Sequence, residues 1–121
     1  MEKTFFLTAC IFAFLAVAAG AFAAHGLKTK ISPEMLAIFE TAARYQIYHA
    51  FALFIAAWAT KYDNNLISYA GYLFIIGIII FSGSLYLLSL TEMRWLGAIT
   101  PLGGVAFLSG WLMLMLGCWR S

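Results

Sequence analysis

The amino-acid sequence predicts an all-α integral membrane protein: one domain over 1–121, a bundle of four transmembrane helices whose second helix starts in the membrane interface. Three observations predict it. The chain is 64% hydrophobic and only 10% charged, with a mean hydropathy of +0.94, so it lacks the polar side chains to cover a water-facing surface; soluble domains are about a quarter charged. Its apolar residues fall into four runs, at 5–24, 42–60, 66–90 and 95–119, each near the roughly 20 residues that cross a bilayer. None of these runs alternates polar with apolar as a barrel strand does. Helices and closed barrels alone satisfy the backbone in hydrocarbon, so helices remain.

The first run, from Phe5, has Lys3 before it and Ala21-Phe22-Ala23 near its end, which imitates a secretory signal. Its length and the three spans behind it favour a retained helix. The stretch Leu7-Thr8-Ala9-Cys10 imitates a lipoprotein box with too short an apolar core before the cysteine. The break HGLKTKISPE leads to the second helix. Ser32-Pro33-Glu34 is its start: a capping serine, a proline at the first helical position and an acid in the first turn. Further on, Glu40 precedes Arg44 by one helical turn, the favourable order for an ion pair. The breaks KYDNN and TEMR are short, so helices 2, 3 and 4 are antiparallel neighbours. Pro101 stands in the first turns of helix 4, where proline is tolerated, and Gly103-Gly104 behind it offer room for a bend.

Four spans place the first and third loops on one side of the membrane and both termini on the other. Polar residues collect toward the loop side. His25 closes helix 1; Arg44, Tyr45, Gln46 and His49 lie early in helix 2; Ser82, Ser84 and Tyr86 lie late in helix 3; Thr100 lies early in helix 4. Helix direction predicts that His49, Ser84 and Thr100 share a depth. Arg44 is close enough to His49 to turn inward or to snorkel. Two readings follow. The groups form interhelical hydrogen bonds that fix the register of the bundle, or they line a site for an ion, a proton path, a small polar ligand, or a lipid or quinone headgroup.

Small residues at four-residue intervals, Ala16, Gly20 and Ala24 on helix 1 and Ala106 and Gly110 on helix 4, mark faces for close helix approach, as do Gly83 and Gly104. Leucine at Gly20 or Gly83 is therefore expected to disrupt packing, and a bulky change at lipid-facing Val17 to be silent. Cys10 and Cys118 lack metal-ligand spacing and read as small hydrophobes. Two histidines without a third ligand predict no metal centre. A formal charge of +2 without a basic run points away from nucleic acid. No phosphate loop, dinucleotide fingerprint, zincin motif or nucleophile elbow is present, no acidic residue stands inside a proposed span, and no cofactor is expected. Lys3, Lys61 and Arg120 on the terminal side nearly balance Lys28, Lys30 and Arg94 on the other, with Arg44 at its margin. The reading adopted puts the termini outside and the polar face toward the cytoplasm.

The segments GAFAAHGL at 20–27, YQIYHAFAL at 45–53, FSGSLY at 81–86 and GAITPLGG at 97–104 together resemble a family of small, uncharacterised bacterial integral membrane proteins typified by YwdK and YgdD. The resemblance covers nearly the whole chain; Ala23 departs from it, standing where the family usually has glycine. It implies a multi-pass protein of the bacterial plasma membrane. Gly20, His25, Gly26, Tyr45, Gln46, His49, Ser82, Gly83, Ser84, Tyr86, Thr100, Pro101 and Gly104 are the matching motif positions. The function expected is a non-enzymatic accessory or interaction protein, in contact with lipid and with a second copy or a membrane-protein partner. The alternative is an oligomeric transport or binding module.

Overall fold

The computed structural model describes residues 3–121. Four helical segments follow one another: α1 (Lys3–Leu27), α2 (Pro33–Ala59), α3 (Asn65–Thr91) and α4 (Arg94–Arg120). The last five residues of α1, Ala23–Leu27, form a π turn, as does Ile78–Ser82 in the middle of α3. A 3-10 turn, Arg94–Ala98, opens α4, and its α-helical part starts at Thr100 with Pro101 in the first turn.

The helix ends follow from local chemistry. Ser32 is extended, and its hydroxyl accepts from the Met35 N–H at 3.2 Å while Pro33 occupies a position that needs no donor. Asn64 does the same for α3, accepting from the Leu66 N–H at 2.9 Å. Two non-glycine residues in the left-handed region, Asp63 (φ 52°) and Glu92 (φ 56°), reverse the chain after α2 and after α3. Arg94 pairs with Glu34 at 3.0 Å, tying the start of α4 to the start of α2. Both side chains are more than 60% exposed, so the pair marks geometry more than it adds stability. Among the described residues it is the only ion pair; Glu40 and Arg44, aligned for one by sequence, do not form it.

The core surrounds α2. Alanine makes this possible: Ala42, Ala50, Ala52, Ala56, Ala57 and Ala59 are almost wholly buried and let neighbouring helices approach from several directions. Phe5 and Ala9 of α1 pack on Leu53 and Ala57, and Ile67, Ala70 and Phe74 of α3 pack with Leu114 of α4 on the far half of α2. At the other end Met35 meets Leu88 and Leu96. The outside is apolar, with Phe14 75% and Leu108 73% exposed on different helices. Such a surface demands hydrocarbon as its solvent. Helices α1, α3 and α4 are long and apolar enough to cross a membrane. Helix α2 matches them in length, but Arg44, Gln46 and His49 dilute its hydropathy.

The close helix approaches agree only in part with those the small residues suggest: Ala106 and Gly110 of α4 are buried as expected, whereas the glycines of α1 and of late α3 are not pressed by a neighbour. A Cβ added at Gly20 or Gly83 meets nothing within 4 Å, and one at Gly104 reaches only Phe81 Cδ2 at 4.0 Å. Ala16 is buried, but Ala24 is exposed. Most tight contacts lie between α3 and α4: an added Cβ would strike the Phe81 backbone at Gly103, Phe74 Cε1 at 2.7 Å at Gly110, and Ile67 Cγ1 at 2.7 Å at Gly117, while one at Gly71 of α3 would strike the Phe5 ring of α1. Gly103, Gly110 and Gly117 recur every seven residues, the interval that returns to one face after two turns.

Candidate functional site

The polar side chains of the motif segments meet in pairs around α2. Gln46 is 5% exposed and bridges three helices: its amide donates to the Phe12 carbonyl of α1 at 2.9 Å, and its oxygen accepts from the Tyr86 hydroxyl of α3 at 2.8 Å. Ser82, at the end of the π turn, donates to the Ala42 carbonyl at 2.7 Å. Ser84 and Thr100 share a hydrogen bond of 2.6 Å between α3 and α4, and Ser84 also reaches the Phe81 carbonyl at 3.0 Å.

His49 is the most constrained of these groups. Its ring stacks on Phe107, with centroids 3.5 Å apart and planes 9° from parallel. Nδ1 lies 2.9 Å from the Tyr45 carbonyl, which can only accept, so Nδ1 carries the proton. Nε2 then presents a lone pair, and the Trp111 indole N–H donates to it at 3.1 Å. Both nitrogens are thereby used, and the imidazole is held in one tautomer. No buried side-chain nitrogen or oxygen among the described residues lacks a partner. A cavity of about 450 Å³ lies beside this imidazole, lined by Tyr45, Phe81, Pro101, Phe107 and Trp111 and almost entirely apolar.

The structure separates residues that helix counting groups together. Trp111 lies roughly 16 Å further along α4 than Thr100, at about 1.5 Å per residue. His49, bonded to Trp111, is therefore deep in the bundle, whereas Ser84 and Thr100 are near its end. The reason is the length of α2 before its apolar run: it starts at Pro33, and Met35 already packs level with Leu88 and Leu96. His25 is exposed in the π turn at the end of α1. Arg44 faces away from His49, beside α1. Tyr45 stays at the rim, its ring 4.9 Å from that of Phe81. The described residues contain no cluster of three or more metal-ligating side chains, and both cysteines are free thiols.

Three contributors are absent from the motif reading: Trp111, Phe107 and the Phe12 carbonyl. Phe107 and Trp111 are one turn apart on α4, so they present a single aromatic face, but nothing in an aromatic-rich chain ties that face to His49. The Gln46 contact with Tyr86 has a direct test. Gln46→Ala, Tyr86→Phe and the double variant, compared by unfolding in one detergent, are expected to show a coupling of about 1 kcal/mol, within the range of interhelical hydrogen bonds. Additive effects would mean the bond contributes nothing.

A family model described as "Protein of unknown function (DUF423)" matches residues 19–104. A UPF0382 membrane protein of Staphylococcus saprophyticus is 43% identical over 118 residues, covering 98% of both chains. The UPF0382 membrane protein YwdK of Bacillus subtilis is 46% identical over 115 residues, covering 93% of this chain and 94% of its own. A UPF0382 membrane protein of Staphylococcus epidermidis is 45% identical over 114 residues, covering 94% of this chain and 93% of its own. No solved structure matches the chain.

Proposed function

The chain belongs to the DUF423 family, whose matched relatives are named membrane proteins, and from that premise we propose that it is a non-enzymatic accessory protein of the bacterial plasma membrane that associates with itself. In this reading α2 is the fourth span, enclosed by three apolar helices, with the termini outside and the loops preceding α2 and α4 toward the cytoplasm. The single observation that carries it is polar saturation: every buried polar side chain among the described residues has a partner inside the chain. A vacant polar site would leave at least one such group aimed at its ligand, because burying an unpaired group is costly. Here Gln46, Ser82, Ser84 and Thr100 are consumed in joining helices. The His49 lone pair, which a general base or a metal ligand needs free, is occupied by Trp111.

The apolar cavity beside His49 favours a second reading, a binding module for the ring of a lipid or quinone headgroup, since such sites are concave and mostly apolar with few polar groups. Native mass spectrometry of the intact protein released from mild detergent or nanodiscs separates the two. The expected spectrum is an oligomer without a bound small molecule, in the wild type and in a folded Gln46→Ala/His49→Ala variant. A discrete added mass in the wild type that the variant loses would establish the binding module instead.

A further inference from the structure

We propose that the groove between α1 and α2 is where a second copy of this chain docks, through reciprocal pairing of Glu40 with Arg44. The proposal rests on the self-association read above and names the face that mediates it. The groove has a volume of about 300 Å³; Ala16, Val17 and Gly20 of α1 form one wall, and Glu40, Ala43 and Arg44 of α2 form the other. Its floor accepts a neighbour at close range, because a Cβ added at Gly20 would meet nothing within 4 Å.

The charges on the rim are what identify the occupant. Glu40 and Arg44 are one helical turn apart in an order suited to pairing, yet they make neither an ion pair nor a side-chain hydrogen bond. They stand level with Gly20, which is about 10 Å along α1 from its end at Leu27. At that depth ionisable side chains are costly unless paired, and those that occur face protein or a water-filled cavity. A phosphate headgroup would meet Arg44 but also the carboxylate of Glu40, and an apolar acyl chain would leave both charges unanswered. A second copy answers both. Two copies inserted in the same direction and related by a two-fold axis along the membrane normal present one patch to itself. Each Arg44 side chain then reaches back one turn to the other copy's Glu40. Two ion pairs form, and the small residues of α1 close the gap between them.

The test is cross-linking in membranes, in a Cys10→Ala/Cys118→Ala background, with a single cysteine at Val17 on the groove or at Leu112 on α4 as the off-groove control. Val17→Cys is expected to give a covalent dimer and Leu112→Cys none. On the Val17→Cys chain, Glu40→Arg alone and Arg44→Glu alone are each expected to lower the dimer yield at least tenfold. Co-expression of the two variants should restore it to within twofold, since one then carries two positive and the other two negative side chains at the groove. Rescue by mixing is an outcome that a fold defect within either chain cannot produce. Absence of rescue, or undiminished dimer in the single variants, overturns the pairing. A dimer through Leu112 in place of Val17 would keep self-association and refute this face; no dimer at either position would refute both.

Discussion

Replacing Gly103 with alanine is expected to lower stability by about 3 kcal/mol, at the upper end of what overpacking costs. The added methyl would fall on the Phe81 backbone, with Phe81 Cβ at 2.7 Å and Cα at 2.8 Å. A flexible side chain can swing aside, but a helical backbone cannot, so α3 and α4 must separate along their length. Gly83→Ala supplies the contrast. Its Cβ enters open space, and alanine is the better helix former by up to about 1 kcal/mol, so that variant should match or exceed the wild type. Unfolding of both in the same detergent, followed by circular dichroism, checks the pair. Equal midpoints would show that the α3/α4 approach is not limited at Gly103.

His49→Ala carries the second large effect, a loss of about 3 kcal/mol. The substitution empties the space stacked against Phe107 and strands the Trp111 N–H away from water. Trp111→Phe removes the donor and part of the indole volume but keeps an aromatic ring in the contact, so it should cost less. The double variant should recover about 1 kcal/mol relative to the sum of the two, the size of one hydrogen bond. Chemical unfolding of the four proteins gives this cycle. If His49→Ala leaves stability untouched while abolishing a bound mass, the imidazole serves a ligand and the structural role fails.

Much of the architecture was legible because lipid permits so few solutions. Apolar runs, a capped proline start and short polar breaks specify helices and their order with little help from tertiary context. The Ser32 cap and the Ser84 and Thr100 partnership were readable on those grounds. Depth is not, because charge breaks locate the apolar runs and not the helix ends, and α2 runs from Pro33 well past its own break before its apolar stretch begins. Packing glycines are legible only in part. Four-residue spacing marks Gly20 on α1, where there is open space, and Gly110 on α4, which does sit in a tight contact; the rest of that tight face repeats every seven residues, through Gly103 and Gly117. Nor could composition show that His49 would be saturated, since its two partners are a backbone carbonyl and one tryptophan among four.

The π turn at Ile78–Ser82 makes the length of α3 as important as its composition. Such a turn accommodates one residue more than a regular α-helical turn would hold. Deleting a single residue there would let α3 close into an unbroken α-helix. The residues beyond would keep nearly the same facing relative to the half anchored at Phe74, because the five residues of the π turn and four residues of an α-helix each complete little more than one revolution. Ser84 and Tyr86 would then still face Thr100 and Gln46. A residue lost from the regular helix on either side would instead rotate everything beyond it by about 100°, so the π turn should be the one place in α3 that forgives a deletion.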